Sequence, residues 1–188
     1  TQNAYMFELE IYSNVEITAK QVTLATKVSP EEAGSVSVSP SSSQYDEGTE
    51  VTLTAKKNFG YKFVKWTDAT GNTLSAEASY KQTLNEDMII TAVFEPVATY
   101  SLTTSTEGGA NNYMVTATPD ATVVNGKNMY EEGTLVTLTA TENRILTFLN
   151  WKSGEMGYEL PVRMDSDKEF VAVYSAADYI VGWDFVRK

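Results

Sequence analysis

The residue types in this sequence exclude several kinds of catalytic chemistry. The chain of 188 residues contains no His and no Cys. Without His, a Ser-His-Asp triad cannot form, and the commonest general base and metal ligand are missing. Without Cys, the chain has no disulfide, no thiolate zinc site and no Cys nucleophile. Phosphate-binding, dinucleotide-binding and nucleophile-elbow motifs do not occur either, so we predict no catalytic residue, no metal and no cofactor.

Carboxylates are the remaining groups that could act chemically, either as calcium ligands or as the acid–base pair of a glycoside hydrolase. Two clusters have a suitable composition, Glu86-Asp87 and Asp165-Ser166-Asp167. Neither has the spacing of an EF-hand, and both fall at turns, where Asp is favoured for conformational reasons alone. The other acidic residues are scattered over turns and polar faces, as on a solubilising surface. We therefore expect that the chain is not an enzyme.

Aromatic side chains form a second group of candidate functional residues, because they supply large contact areas to sugars and protein partners. Tyr61, Tyr113 and Tyr158 fall in loops or at the starts of predicted strands. An exposed Tyr at such a position offers contact area at low entropic cost. We predict these three residues as ligand-contact candidates.

Two of the three Trp residues, Trp66 and Trp151, have a different setting. Each follows a Phe by three positions, giving the pairs Phe63/Trp66 and Phe148/Trp151. Apolar residues flank both pairs within predicted strands. Large aromatic side chains dominate small hydrophobic cores because each buries much surface. We predict these four residues as structural core rather than as a sugar-binding platform.

The charge balance limits the classes of partner. Lys and Arg number 14 against 25 Asp and Glu, so the net charge is −11. A chain this acidic is not steered to nucleic acid or to an anionic membrane surface. No apolar run approaches the roughly 18–20 residues of a transmembrane helix, so we do not expect the chain to span a membrane.

The sequence contains an internal repeat. Residues 45–55, YDEGTEVTLTA, recur as residues 130–140, YEEGTLVTLTA, with nine of 11 positions identical at an offset of 85. The same offset places Phe63-Val64-Lys65-Trp66 on Phe148-Leu149-Asn150-Trp151. A turn, a strand and a Trp-bearing strand that recur at one offset indicate a tandem repeat.

The repeat divides the chain into four segments. Residues 22–97 and 98–176 are the two full copies, joined by a short linker that favours a fixed angle between them. Residues 1–21 are either the tail of an upstream repeat or an independent hairpin. Residues 177–188 match neither copy, and we interpret them as the start of a further module or a linker.

Strand and turn patterns within the copies indicate β structure throughout. Alternation of apolar and polar residues predicts strands separated by Gly, Asn and Asp turns. In the first copy, residues 79–84 and 88–94 are expected to form a closing hairpin around Asn85-Glu86-Asp87. In the second copy, Asn125-Gly126 predicts a two-residue hairpin turn within an insertion between Pro119 and Tyr130.

These motifs resemble the divergent internalin-type B-repeat of bacterial surface proteins. The Glu-Gly-Thr turn, the aromatic-x-x-Trp strand and the closing strand Ile90–Phe94 carry the resemblance, which covers about residues 22–175. The second copy is more divergent, with Asn143-Arg144-Ile145-Leu146 in place of the Gly-Tyr that precedes Phe63. The segment Asp178–Phe185 is similar to a stretch that follows such repeats in polysaccharide-lyase-like surface proteins.

The resemblance implies fold, location and role. The expected fold is all-β or β-rich α+β, with two tandem small β-grasp-like modules and partial flanking segments. The expected role is a non-catalytic extracellular or cell-surface spacer or adhesion module in a longer secreted or anchored protein. The alternative is a pair of carbohydrate-binding modules attached to a polysaccharide-degrading enzyme. The expected partner is accordingly a protein or a polysaccharide at the cell surface, and not nucleic acid.

Overall fold

The structure, a computed structural model, describes residues 19–177. The strands that we predicted within residues 1–18 and the segment Asp178–Phe185 lie outside the described residues.

The described part of the first copy, which we call module 1, is built almost entirely from strands. In chain order its elements are β1 (Gln21–Val22), β2 (Leu24–Ser29), the 3-10 helix Glu31–Ala33, β3 (Gly34–Ser39), β4 (Tyr45–Asp46), β5 (Thr49–Lys57), β6 (Tyr61–Thr67), β7 (Thr73–Ser75), β8 (Ser79–Leu84) and β9 (Met88–Pro96).

The second copy, module 2, follows a similar plan. Its elements are β10 (Thr99–Glu107), the 3-10 helix Asn112–Met114, β11 (Val115–Thr118), β12 (Thr122–Val124), β13 (Lys127–Glu131), β14 (Leu135–Ala140), β15 (Leu146–Trp151), β16 (Glu159–Arg163) and β17 (Lys168–Ala176). It gains the strand β12, has no counterpart of β7 among the described residues, and its β10 makes the pairings that β1 and β2 make in module 1. The predicted fold class, two tandem β-rich modules, is confirmed.

Each module packs two sheets around its own core. Module 1 has a sheet of order β2-β9-β6-β7 and a sheet of order β3-β5-β8, with β1 paired to β4. Module 2 has the corresponding sheets β12-β13-β10-β17-β15 and β11-β14-β16. The pairs β2–β9 and β10–β17 are parallel, and the others are antiparallel. A parallel pair needs a long crossover, and here the intervening chain supplies the second sheet.

The predicted closing hairpin of module 1 is wrong. β8 pairs with β5 in one sheet, whereas β9 pairs with β2 and β6 in the other. At the turn between them, the Asp87 carboxylate accepts hydrogen bonds from the Thr23 N–H at 2.7 Å and the Thr23 hydroxyl at 2.9 Å. In module 2, Asp167 accepts one from the Ser101 N–H at 2.6 Å. Each Asp thus hydrogen-bonds to the chain close to where the parallel pair begins. The chain crosses from one sheet to the other at this turn.

The predicted hairpin turn of module 2 is confirmed. Asn125 and Gly126 both have positive φ, 50° and 77°, as a two-residue hairpin loop requires. They join β12 to β13, so the insertion adds an outer strand to the five-stranded sheet.

Both Trp side chains lie at the centres of the two cores and are fully buried. The Trp66 Nε1–H donates to the Glu77 carbonyl at 2.9 Å, and the Trp151 Nε1–H donates to the Gly157 carbonyl at 2.8 Å. Phe63 and Phe148 contact these rings at centroid distances of 5.5 Å in both modules. Each core therefore buries a large aromatic side chain and satisfies its one polar atom.

We predict that Trp66→Ala destabilises module 1 by roughly 3–5 kcal/mol, because it empties a fully buried site and removes an indole hydrogen bond. Because the cores are separate clusters, module 2 should remain folded. Denaturant unfolding of Trp66→Ala in a Trp183→Phe background, in which Trp151 is the remaining Trp, reports this by fluorescence, and Ile89→Ala, at an exposed position, serves as the control. Loss of both modules in one transition would contradict the expectation.

Candidate functional site at the junction of the two modules

Both residues of the linker between the modules form backbone hydrogen bonds. β9 ends at Pro96, which pairs with Tyr61, and β10 begins at Thr99. Between them, the Val97 N–H donates to the Gly60 carbonyl of module 1, and the Ala98 carbonyl accepts from the Glu132 N–H of module 2, both at 2.8 Å. Neither linker residue is free to rotate without breaking a backbone hydrogen bond, which favours a defined angle between the modules.

A single carboxylate of module 2, that of Glu131, reaches across to module 1. Glu131 ends β13, and its side chain accepts from the Lys57 Nζ at 2.5 and 2.6 Å. Its Oε1 also accepts from the Gly60 N–H at 2.9 Å. The carboxylate is thus bound by a charged group and a main-chain donor from one turn, the β5–β6 turn. We call this set of three residues the junction contact.

The junction contact is partly shielded from water. The Glu131 side chain is 23% exposed, against 46% for Lys57. Burial raises the pKa of Glu131, but the hydrogen bonds from Lys57 and Gly60 outweigh it and hold that pKa below its ordinary value. The charged form of Glu131 is therefore the form that the folded junction selects.

A cleft of about 320 Å³ lies beside the junction contact. Module 1 contributes the turn residues Lys57, Asn58 and Phe59. Module 2 contributes the insertion and the adjoining strand, namely Pro119, Asp120, Thr122, Met129, Tyr130, Glu131 and Thr134. The Tyr130 hydroxyl donates to the Pro119 carbonyl at 3.1 Å, so this ring is a wall of the cleft rather than a free contact group.

The equivalent turn of module 2 does not offer the same binding groups. At the offset of 85, Glu142 stands where module 1 has Lys57, and Ile145 stands where it has Gly60. Glu142 accepts from the Phe148 N–H and from the Tyr158 hydroxyl, both at 2.8 Å. The Ile145 N–H donates to the Asn143 side chain at 2.9 Å. The turn is therefore closed by its own side chains, and its charge is reversed.

Two of the three predicted ligand-contact Tyr residues, Tyr61 and Tyr158, lie in different modules. Tyr61 begins β6, and its hydroxyl donates to Glu32 at 3.1 Å. Tyr158 is 49% exposed, packs on Phe148 and donates to Glu142. The hydrogen bond to Glu142 raises the pKa of the Tyr158 phenol, and Glu32 does the same for Tyr61. Tyr113 lies in the 3-10 helix Asn112–Met114. Two of the three hydroxyls are thus already bound within their own module.

The acidic clusters act within the fold. Asp165 forms an ion pair with Lys168 at 2.8 Å, and Asp87 and Asp167 bind backbone N–H groups as described above. Within residues 19–177, no group of three or more carboxylates is arranged to hold a metal ion.

Sequence reasoning missed the junction contact, although a signal for it was present. Glu131 lies in the repeated turn and is one of the two positions at which the 11-residue copies differ, with Asp46 in module 1. The pairing with Lys57 joins residues 74 apart, and only the tertiary structure brings them together.

Comparison with known proteins identifies the repeat. The sequence profile of the divergent InlB B-repeat domain matches residues 24–98 and again residues 112–178. The chain belongs to this family. Modules 1 and 2 are therefore two B-repeats in tandem, and the resemblance drawn from the repeated motifs is confirmed.

Other comparisons add little to this assignment. A search of curated proteins finds no match. Among solved structures, the chain is similar to "Streptococcal High Identity Repeats in Tandem (SHIRT) domains 3-4 from cell surface protein", with 14% sequence identity over 85% of this chain and 99% of that one. The TM-score is 0.27, which is too low to support an argument about the B-repeats.

The described B-repeats contain no helix long and apolar enough to cross a membrane.

We predict that the junction contact couples the two B-repeats by roughly 1 kcal/mol, since partly exposed ion pairs contribute about 0.2–1 kcal/mol and hydrogen bonds to charged groups somewhat more. A double-mutant cycle of Lys57→Met and Glu131→Gln, measured by denaturant unfolding, gives this energy. Glu132→Gln, at the neighbouring exposed residue, should leave stability unchanged within about 0.3 kcal/mol. Strictly additive single mutants would show that the contact contributes nothing.

The pH dependence of the junction follows from the lowered pKa of Glu131. A depressed folded-state pKa gives stability that is fully present above the ordinary value of 4.5 and is lost as the pH falls through the lower, folded-state pKa. We expect the coupling energy between the B-repeats to be constant from pH 7 to about pH 5 and to decline below it. The difference in unfolding free energy between the unaltered chain and Glu131→Gln should shrink below about pH 5, and a difference that stays constant over this range would assign the pH dependence to other carboxylates.

Proposed function

We propose that the tandem acts as a non-catalytic spacer in a bacterial surface or secreted protein, setting the distance and angle between the segments that flank it. The observation that carries this proposal is the junction contact, in which module 1 binds the Glu131 carboxylate through Lys57 and the Gly60 N–H. A flexible tether would not need three hydrogen bonds between its modules, whereas a spacer of defined geometry does.

The architecture of each B-repeat supports the same role. Each has its own closed core around a Trp, so the length of the unit does not depend on a ligand. The linker residues Val97 and Ala98 are both hydrogen-bonded, which leaves little rotational freedom at the junction. Family membership supports an extracellular location, because the B-repeat resemblance implies secreted or surface-anchored bacterial proteins.

One observation favours the alternative of carbohydrate binding. The cleft beside the junction contact presents Phe59 with the polar groups of Asn58 and Asp120, and ligand sites often lie between domains. The predicted Tyr contacts give the alternative less support, because Tyr61 and Tyr158 use their hydroxyls within their own modules. Of the two functions, the spacer accounts for more of the contacts at the junction.

The spacer role predicts a fixed distance between equivalent points of the two B-repeats. The chain has no native Cys, so spin labels can be attached to Glu86→Cys and Ser166→Cys, exposed residues at equivalent turns. Pulsed electron–electron double resonance should give one narrow distribution of the distance between the two labels. Glu131→Gln should broaden it, and Glu132→Gln should not. A broad distribution in the otherwise unaltered chain would overturn the spacer proposal.

The same samples separate the spacer from the carbohydrate-binding alternative. A spacer should give no saturable signal on a glycan array. Any glycan that gives a weak array signal should produce no heat of binding in calorimetry. Saturable binding that Phe59→Ala abolishes would instead establish the cleft as a sugar site, whatever the distance distribution shows.

A further inference from the structure

Each repeat contains two positions that correspond to the two sides of the junction contact, and each module uses only one of them there. The first is a strand end, occupied by Asp46 in module 1 and by Glu131 in module 2. The second is the turn after the next strand, where Lys57 of module 1 corresponds to Glu142 of module 2. Glu131 and Lys57 meet at the junction. Asp46 and Glu142 are the unused positions, and their bonds show what a further repeat would encounter.

The unused carboxylate of module 1 is bound within its own module. β1 pairs with β4 so that Gln21 lies opposite Asp46, and the Gln21 Nε2 donates to Asp46 Oδ1. In module 2 the residue opposite Glu131 is Thr99, whose side chain is shorter than that of Gln. Asp46 is also one methylene shorter than Glu131. The carboxylate of module 1 is therefore short and bound by its own module, whereas that of module 2 extends to a neighbour.

The unused turn of module 2 differs from the turn of module 1 in backbone and in charge. Gly60 presents its N–H to the junction carboxylate from a φ of 82°, a value that a β-branched residue rarely adopts. Ile145 stands at this position in module 2 without a positive φ, and its N–H donates to the Asn143 side chain. Glu142 stands in place of the lysine, so a second carboxylate brought here would meet a like charge, which is unfavourable.

The path by which the chain leaves each module is nevertheless the same. After β9, the Val97 N–H donates to the Gly60 carbonyl at 2.8 Å, and after β17, the Ala177 N–H donates to the Ile145 carbonyl at 2.9 Å. β9 and β17 also end at equivalent points of their pairings with β6 and β15. The two modules therefore differ in the groups that receive a carboxylate, and not in the direction of the chain that follows.

We propose that modules 1 and 2 form a closed pair, in which the turn of module 1 binds the carboxylate of module 2 and neither module binds a further B-repeat of its own kind in this way. The order of the pair is fixed, because module 2 followed by module 1 would place Asp46 beside Glu142. In a longer run of such repeats, each pair would be one rigid step, and the chain would bend between pairs. The inference rests on the spacer role and states where its rigidity ends.

A chain with one additional repeat tests the turn of module 2. A second copy of residues 97–176 is inserted after Ala176 of the full chain, which reproduces the linker of the native junction. Spin labels at Glu86→Cys and Ser166→Cys report the native junction, and labels at Ser166→Cys in both copies of module 2 report the new one. Pulsed electron–electron double resonance should give a narrow distance distribution across the native junction and a broad one across the new junction.

A matched variant supplies the missing turn. In the first copy of module 2, residues 141–145 take the sequence of residues 56–60, which keeps the length and Asn143. The changes are T141K, E142K, R144F and I145G. The distribution across the new junction should become narrow, because the turn again offers a lysine and a free Gly N–H. Glu131→Gln in the inserted copy should broaden it once more, and Glu132→Gln there should not.

A second chain tests the carboxylate of module 1. A copy of residues 19–96 is inserted after Pro96, so that the turn of module 1 faces the Asp46 of another module 1. Labels at Glu86→Cys in both copies should give a broad distribution. Asp46→Glu together with Gln21→Thr in the inserted copy should narrow it, because the carboxylate is then longer and no longer bound by Gln21.

The outcomes separate the closed pair from the spacer proposal. Narrow distributions at the native junction and at either new junction would overturn the closed pair and leave the spacer role intact. A broad distribution at the native junction would overturn both. If the turn replacement or the double change at positions 21 and 46 fails to narrow its junction, in a chain that thermal unfolding shows to be folded, these residues do not determine the pairing and the closed pair is overturned.

Discussion

Burial of one Trp in each module, with its indole N–H bound to a backbone carbonyl, is the constraint on which the rest of the structure depends. Trp66 and Trp151 close the space between two sheets of which neither could bury its apolar face alone. The carbonyls that accept the indole hydrogen bonds, those of Glu77 and Gly157, come from the segments that follow the Trp strands, so the core also positions these crossings. Loss of the ring would remove both the packing and the anchor of the crossing. The two modules retain this arrangement although the chain after the Trp differs in length.

The junction shows how a repeated unit acquires a specific neighbour. Its components, a turn of module 1 and a strand end of module 2, are also parts of each module's internal fold. The turn presents the Gly60 N–H because the chain reverses there, and the Lys57 side chain extends from the end of β5. The one additional methylene of Glu131, relative to Asp46 in module 1, gives the carboxylate a longer reach. The difference between Asp46 and Glu131, on the same fold, thus accompanies the junction contact, and no separate binding domain is involved.

Divergence between the B-repeats is concentrated outside the cores. Module 2 replaces the receptive turn of module 1 with one in which Glu142 and Asn143 bind neighbouring backbone N–H groups. It also adds an uncharged edge strand, β12, beside the junction cleft. Both changes alter what the surface offers to other molecules and leave the Trp-centred packing in place. This division is physically reasonable, because core substitutions are costly whereas turns and sheet edges tolerate insertion.

The sequence by itself determined the tandem repeat, the β-rich class and the hairpin turn at Asn125-Gly126. It also predicted the four core aromatic residues. These follow from local signals: alternation, turn residues and a fixed offset. Only the tertiary structure decided the strand pairing. The pattern on either side of Asn85-Glu86-Asp87 predicts a hairpin, yet β8 pairs with β5 in one sheet and β9 pairs with β2 and β6 in the other. The junction contact was hidden for the same reason, since Lys57 and Glu131 meet only after two complete modules have folded. Local patterns specify which residues are strands and turns, whereas partners far apart in the chain are chosen by the packing of whole sheets.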